Sequence, residues 1–159
     1  MEPTCGSLMS TQPVTVAPAD PVSAALALLL KHRQLALPVV DADGTYRGMF
    51  LRSLLLMHLL PRITQMEEQL DNVSRIVEAM AASETVETLQ ARYRELAGEP
   101  VARFSDAAGP VLNPETPLMH TVHLLHRSRT ILPVVDEKTN KLVGVVSAWD
   151  LLSRLSGQS

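Results

Sequence analysis

A serine and an aspartate stand three residues apart near the end of the chain, within the stretch GVVSAWD at positions 144–150. The Asp150 carboxylate could accept hydrogen bonds from both hydroxyls of a cis-diol, and its charge would make them roughly twice as strong as neutral bonds. The Ser147 hydroxyl and free N–H groups at the start of a helix would favour phosphate. The pair therefore predicts a contact site for a ribose and a phosphate.

The same spacing also has a purely structural interpretation. In a capping box, a serine at the helix start bonds the backbone N–H three residues later, and an acid at that position reaches back to the N–H of the serine. Ser147 and Asp150 would fill these two positions if a helix began near Ala148. The spacing leaves both roles open, and both can coexist in one protein.

The elements that would position this pair occur twice along the chain. The sequence LPVVD stands at 37–41 and again at 132–136, and Gly48 corresponds to Gly144. In the first copy, Leu51 replaces the serine and Leu54 replaces the aspartate. Internal repetition with about fifty residues per unit indicates two similar structural units. The first unit thus keeps the framework and lacks the polar pair.

Each unit is predicted to fold as β-α-β-β-α, which makes the chain an α/β (α+β) protein. Asp20-Pro21 and Thr116-Pro117 indicate helix starts, because Asp and Thr are good N-caps and proline suits the first helical position. The strands predicted for the first unit are Val14–Val16, Leu37–Val40 and Tyr46–Leu51, and its final helix begins near Ser53. The strands predicted for the second unit are Val111–Leu112, Ile131–Val135 and Leu142–Val146, and its final helix begins near Ala148. Neither unit could close a core alone, so we expect the two to pack as a pseudo-symmetric pair.

The predicted domains are a first repeat at 1–60, a helical insert at 61–104 and a second repeat at 105–159. An a/d seam of apolar residues runs along the insert at Ile63, Met66, Leu70, Val73, Val77 and Met80. A second apolar run at Val86, Leu89, Tyr93 and Leu96 predicts a further helix, capped by Ser83 or Thr85. The seam could pack on its own domain or contact a second subunit or another protein, and the sequence leaves these two open.

Composition limits the classes of function. A formal net charge of −3 and an aromatic content of 3% argue against binding of nucleic acid. The longest apolar runs fall far short of the roughly 20 residues that span a bilayer, and the first ten residues do not resemble a signal peptide. The single cysteine, Cys5, fits a reducing cytoplasm, and we expect it to lie in a mobile N-terminal segment.

The sequence shows no catalytic set, because no nucleophile, base and acid stand at a recognisable spacing. His120, His123 and His126 recur every three residues along one predicted helix. Three such steps spread over a wide arc, and no cluster of acids or cysteines joins them. We therefore expect neither a metal site nor an enzyme.

Two segments, TVAPADPVSAALALLLKHRQLALPVVDADGTYRGMF and VLNPETPLMHTVHLLHRSRTILPVVDEKTNKLVGVVSAWDLL, resemble a tandem pair of CBS domains, called a Bateman module. The resemblance covers both units and leaves out the insert. It implies a stand-alone regulatory module without an obligatory cofactor. Such pairs commonly bind adenosine-containing ligands (AMP, ADP, ATP or S-adenosylmethionine) in clefts between the repeats, and they commonly form homodimers shaped as flat discs.

The resemblance also implies roles for individual residues. The family's ligand motif, G-h-h-S/T-x-x-D, is intact at 144–150, so Asp150 would hold the ribose and Ser147 would contact phosphate. We expect the adenine slot and its flanks at Val111, Leu112, Thr130, Ile131, Leu132, Pro133 and Val146. Arg52 and Arg129 are candidate phosphate contacts. Leu51 and Leu54 would fill the corresponding cleft of the first repeat.

The leading hypothesis is therefore a sensor of adenine nucleotides. Its ligand would change the packing of the repeats or of a dimer, and so act on a regulated partner protein. The alternative is a structural or protein-interaction module that binds no ligand and works through the helical insert, with Ser147 and Asp150 serving only as a cap. The two hypotheses differ in whether Asp150 faces an open cleft.

Overall fold

The computed structural model describes residues 3–60, 74–75, 77–79, 81, 85–128 and 130–157. The α-helices bounded within these ranges are α1 (Val22–His32), α2 (Arg52–Leu59), α3 (Val86–Ala97), α4 (Leu118–Ser128) and α5 (Ala148–Leu155). The strands are β1 (Ala36–Val40), β2 (Tyr46–Leu51), β3 (Ser105–Asp106), β4 (Leu132–Val135) and β5 (Leu142–Val146). Short 3-10 helices cover Cys5–Ser7 and Val101–Phe104. This mixed architecture confirms the α/β (α+β) fold class.

Two antiparallel hairpins form the centre of the repeats. β1 pairs with β2 in the first repeat, and β4 pairs with β5 in the second. Each hairpin turn contains a residue in the left-handed region, Gly44 with φ 90° and Asn140 with φ 59°. Glycine and asparagine adopt this conformation more readily than other residues, so the polar turns of the sequence close the hairpins.

Buried apolar side chains form one core in each repeat and a third cluster between them. The first core contains Val16, Val22, Ala25, Leu29, Leu37, Val39, Phe50, Leu55, Val101 and Phe104. The second core contains Cys5, Leu112, Leu125, Leu132, Val134 and Val146. The inter-repeat cluster combines Ala36, Tyr46 and Met49 with Val135. The repeats therefore pack directly on each other, as expected from units that cannot close a core alone.

Two short segments cross between the repeats: the first arm (residues 3–10) and the second arm (residues 99–106). The first arm precedes the first repeat but docks on the second, where Ser10 pairs with Val145. The second arm precedes the second repeat but docks on the first, where it supplies β3 beside β2. The second arm thus supplies the edge strand of the first repeat, and the first arm makes a single bridge to the sheet edge of the second repeat.

The two arms make equivalent contacts. The Cys5 N–H donates to the Thr116 carbonyl at 2.9 Å, and the Val101 N–H donates to the Asp20 carbonyl at 2.8 Å. Both Cys5 and Val101 are fully buried, the first in the second core and the second in the first core. The cysteine therefore fills the position that a valine fills in the other repeat.

The expectation that Cys5 lies in a mobile N-terminal segment is wrong. Its Sγ donates to the Asn113 carbonyl at 2.8 Å, and loss of solvation on burial raises the pKa of the thiol. A buried, protonated cysteine behaves as a small apolar side chain. Cys5 thus anchors the first arm in the second core.

Asp20 and Thr116 do not cap helices as predicted. Oδ2 of Asp20 accepts from the Ala17 N–H at 2.9 Å, and Oγ1 of Thr116 accepts from the Asn113 N–H at 3.0 Å. Each side chain therefore closes the turn that comes before its helix. α1 and α4 begin after the proline that follows.

The short strand predicted at the start of each unit is reduced to one parallel bridge. Val16 bridges Val39 in the first repeat, and Leu112 bridges Val134 in the second. The backbone just before Val16 makes no ladder with β1, so it can take part in a cleft.

Helix α3 covers the last part of the insert. Thr85 is its cap: its Oγ1 accepts from the Thr88 N–H at 3.2 Å, and the Thr88 hydroxyl accepts from the Thr85 N–H at 2.9 Å. Tyr93 and Leu96 pack against the first core. This helix therefore packs on its own repeat. Most of the predicted heptad seam, with Ile63, Met66, Leu70, Val73 and Met80, lies outside the described residues and stays a prediction.

Candidate functional site

Ser147 and Asp150 lie where β5 ends and α5 begins, as the sequence predicted. The Ser147 N–H donates to Oδ2 of Asp150 at 2.7 Å, and the Asp150 N–H donates to Oγ of Ser147 at 3.2 Å. These two bonds form a complete capping box. The structural role of the pair is therefore real.

The capping box does not use the whole carboxylate. The Ser147 hydroxyl also donates to Oδ2 of Asp150, at 3.0 Å. None of the three hydrogen bonds that join the pair involves Oδ1 of Asp150. A carboxylate oxygen accepts hydrogen bonds from ligand hydroxyls. Asp150 can thus cap α5 through Oδ2 and bind a diol through Oδ1.

Both side chains line a cleft of about 200 Å³ between the repeats, which we call the inner cleft. Its opposite wall comes from the first repeat: Pro13, Val14, Ala36 and Leu37. The first arm contributes Ser10 at the edge. Gln12 and Gln34 also line this cleft, so Asp150 faces a far wall that is mostly apolar. This geometry suits a sugar that carries a flat apolar ring.

A larger cleft of about 470 Å³, the outer cleft, adjoins the inner one. The two share Gln34, Ile131 and Ser147. The remaining lining residues of the outer cleft are His32, Arg33, Leu35, Leu125, Thr130, Ala148 and Trp149. Small-molecule sites usually occupy about 300–1,000 Å³, so the inner cleft alone is smaller than a usual site and a nucleotide bound there would extend into the outer cleft.

Thr130 brings an unsatisfied polar atom to the outer cleft. Its Oγ1 is buried and has no hydrogen-bond partner among the described residues. Buried hydroxyls are nearly always paired, and each exception calls for an explanation. A ligand oxygen in the outer cleft would provide the missing partner.

The residues predicted for the adenine slot divide into two groups. Thr130 and Ile131 line the outer cleft beside Ser147. Val111 and Leu112 line a different cleft, of about 680 Å³, together with the turn at 136–138. Leu112 bridges Val134, whereas Leu132 is the β4 residue paired with Val146 at the end of β5. The structure therefore does not bring Val111 and Leu112 to Asp150.

Leu132, Pro133 and Val146 do not line either cleft beside Asp150. All three are fully buried, and Leu132 and Val146 belong to the second core. The apolar residues that line the inner cleft opposite Asp150 come from the first repeat, so the observed lining differs from the predicted slot at these three positions.

Of the two arginines predicted as phosphate contacts, only Arg52 lies among the described residues. Arg52 is exposed, and it does not line the inner or the outer cleft. Its backbone N–H donates to the Leu35 carbonyl at 3.1 Å. Arg129 lies outside the described residues, so its role stays a prediction.

Sequence reasoning missed the contribution of the first repeat. Arg33, Gln34 and the wall of Val14, Ala36 and Leu37 are the residues concerned. A signal was available, because a pseudo-symmetric pair places each motif opposite the other repeat. The crossing of the arms determines which segments of the two repeats face each other. No local sequence pattern indicates this crossing.

The corresponding position of the first repeat is apolar. Leu51 occupies the N-cap position of α2, and that helix has no side-chain cap. Leu51 packs against the inter-repeat cluster. A leucine here supplies packing area where Ser147 supplies hydrogen bonds.

Among the described residues, no group of three or more histidines, cysteines, aspartates or glutamates is placed to hold a metal ion. His120, His123 and His126 are exposed along α4. Within the same part of the chain, the helices are too short or too polar to cross a bilayer.

The sequence profile of the CBS domain matches residues 5–60 and 105–157. Solved structures of similar fold include CBSX2, a CBS-pair protein from Arabidopsis thaliana, at 22% identity with a TM-score of 0.74 over 99% of this chain and 96% of that one. CBSX2 in complex with AMP gives 22% identity and a TM-score of 0.67 over 97% and 96% of the two chains. A hypothetical conserved protein from Geobacillus kaustophilus gives 18% identity and a TM-score of 0.71 over 100% of both chains.

At these identities the structural likeness shows the fold alone. The comparison with curated proteins finds no match.

Proposed function

The chain belongs to the CBS-domain family, and from this premise we propose that it is a regulatory module, not an enzyme, that binds an adenosine-containing ligand between its repeats. The ligand class is AMP, ADP or ATP, with S-adenosylmethionine as a further member. The AMP complex of CBSX2 supports the class, because that protein shares the fold. We place the protein in the cytoplasm, where a free thiol such as Cys5 stays reduced.

One observation carries the proposal: Asp150 lines a cleft between the repeats while its Oδ1 lies outside the capping box. A purely structural cap would need no cleft in front of it. The Oδ1 atom accepts a ribose hydroxyl, and the charge of the carboxylate strengthens that bond. The Ser147 hydroxyl contacts the phosphate next to the ribose once its proton turns from Oδ2 of Asp150 to the ligand.

The adenine ring occupies the inner cleft in this proposal. Pro13 and Val14 supply the accessible apolar surface on the first repeat, and the fully buried Ala36 and Leu37 complete that wall. The Asp150 side of the same cleft receives the ribose. A bound nucleotide therefore touches both repeats at once.

Contact with both repeats provides a route to regulation. A ligand shifts an equilibrium between two arrangements only if it binds one of them more tightly. A nucleotide held by the first repeat on one side and by Asp150 on the other favours the closed arrangement of the repeats. A partner protein that binds only this arrangement of the repeats is regulated by the nucleotide.

The alternative function, a structural module that binds no nucleotide, is favoured by the complete capping box. In that case the loss of Asp150 would lower stability and nothing else. Calorimetric titration with AMP, ADP, ATP and S-adenosylmethionine distinguishes the two. Saturable heat supports the sensor, and no heat with any of the four contradicts it.

We expect one nucleotide per chain. The first repeat has leucines in place of the serine and the aspartate, so its own cleft lacks the acceptor for a diol. The fitted stoichiometry of the same titration measures this. A value of two per chain would show that the first-repeat cleft binds a ligand through other residues.

We also propose that the protein is a homodimer that uses the outer face of α5. Trp149, Leu152 and Leu155 are 79%, 53% and 73% exposed along one stripe of that helix. Contiguous exposed apolar side chains are typical of protein contact surfaces. The partner is a second copy, as is common in this family.

Leu152→Glu is expected to shift the dimer towards monomer, because it places a charge in the centre of the contact. Sedimentation equilibrium measures the change. Val86→Glu is the matched control, since Val86 is 67% exposed on α3, a helix that packs on the first core. Equal masses for the wild type and the Leu152 variant would contradict the assignment of this face.

A further inference from the structure

We infer that the outer cleft binds the phosphate chain of the nucleotide, and that Arg33 of the first repeat makes the site prefer two or three phosphates over one. The inference rests on the proposed nucleotide function of the same site. It adds a residue, a direction for the ligand and a preference within the ligand class.

The shapes of the two clefts set the direction of the ligand. The inner cleft has an apolar wall of Val14, Ala36 and Leu37, which suits a base and would leave phosphates unsolvated. Ser147 belongs to both clefts and therefore marks the passage between them. With the base inside and the ribose at Asp150, the phosphates extend past Ser147 into the outer cleft.

The charges of the outer cleft agree with this direction. Arg33 and His32 line it, and the described lining residues include neither aspartate nor glutamate. Arg33 also forms no ion pair with the described residues. Its guanidinium is therefore available for a ligand, and its planar fork matches the geometry of phosphate.

The backbone holds Arg33 at the cleft. Arg33 ends α1 in the left-handed conformation, with φ 52° and ψ 45°, and its N–H donates to the Leu29 carbonyl. A left-handed residue turns the chain sharply at the end of a helix. This turn brings the loop of Arg33 and Gln34 opposite the start of α5.

A second observation points to phosphate oxygens in the same place. Oγ1 of Thr130, buried without a partner among the described residues, is a hydroxyl that can donate to an anionic oxygen. It lines the outer cleft together with Arg33 and Ser147. Arg33, Thr130 and Ser147, from three separate segments, thus line one space, and rotation of the two hydroxyl side chains would turn their donors towards a phosphate in it.

The test compares the affinities of AMP, ADP and ATP for the full chain and for Arg33→Gln by calorimetry. The variant is expected to bind ADP and ATP about tenfold more weakly or worse, because a hydrogen bond to a charged group is lost. Binding of AMP is expected to change by less than about twofold, since its one phosphate stays at Ser147. Arg33→Lys should recover part of the loss, because it restores the charge without the planar fork.

Lys31→Gln is the matched control. It removes the same charge two residues before Arg33, and the Lys31 side chain does not line the outer cleft. It should leave all three affinities unchanged. Trp149, the only tryptophan of the chain, lines the outer cleft and gives a second readout. ATP should change its fluorescence more than AMP does.

Several results would overturn the inference and leave the proposed function standing. They are equal loss of AMP and ATP binding in Arg33→Gln, no loss at all, a loss of the same size in Lys31→Gln, or tight binding of S-adenosylmethionine with no binding of ATP. Absence of binding by any nucleotide to the wild type would overturn both. A melting temperature near that of the wild type would show that Arg33→Gln is folded.

Discussion

Asp150→Ala is expected to weaken nucleotide binding by about one hundredfold. The substitution removes the charged acceptor of the ribose hydroxyls, and two hydrogen bonds to a charged group contribute about 3 kcal/mol together. It also removes the acid of the capping box on α5. Stability should therefore fall by about 1 kcal/mol in the same variant. Calorimetric titration and urea unfolding measure the two effects separately.

Asp150→Asn separates the two roles of this residue. The amide oxygen can still accept from the Ser147 N–H and keep the cap, but the charge is gone. We expect stability close to that of the wild type and clearly weaker nucleotide binding. If the alanine variant loses stability while it binds nucleotide as tightly as the wild type, Asp150 is a cap only and other residues hold the nucleotide.

Gly144→Ala is expected to destabilise the fold by about 2–3 kcal/mol, as overpacking in a tight contact does. A Cβ at this position would lie 2.5 Å from the Ser10 carbonyl oxygen and 3.0 Å from the Met9 sulfur. The Ser10 contact is with backbone, so a side-chain rotation cannot relieve it. The glycine of the ligand motif is thus required by the first arm, which passes directly over it.

Two measurements check this prediction. Urea unfolding gives the loss of stability, and the rate at which Cys5 reacts with a thiol reagent reports release of the first arm. The thiol is fully buried in the folded protein, so only release or unfolding exposes it. Gly98→Ala is the matched control, because a Cβ there meets nothing within 4 Å. Equal stability and equal thiol reactivity in the two variants would contradict the proposed contact.

Features that depend on neighbouring residues could be predicted from the sequence. The predicted strands Tyr46–Leu51 and Leu142–Val146 coincide with β2 and β5. The helix start near Ala148 is also confirmed. Turn residues, apolar strand runs and helix caps act over a few residues, so the local sequence contains most of what specifies them.

The facing wall of the site could not be predicted in the same way. It depends on which segment of one repeat packs on the other, and that pairing joins residues far apart in the chain. The sequence placed the adenine slot at Val111 and Leu112, within the repeat that carries the motif. In the structure, Val14 and Leu37 of the first repeat face Asp150. Asp20 and Thr116 show a smaller error of a local kind, because each side chain accepts from a backbone N–H three residues earlier and not from the helix that follows.

The crossing of the arms has a consequence for how the chain acquires its structure during synthesis. The first arm leaves the ribosome before the second repeat on which it docks. Cys5 can form its hydrogen bond only after Asn113, 108 residues later, has been synthesised. The first repeat likewise lacks its edge strand until the second arm has emerged. Contacts over such separations slow folding and prolong exposure of apolar segments. Neither repeat is thus finished early, and a nascent chain halted before the second repeat would present an undocked arm and an open sheet edge to chaperones.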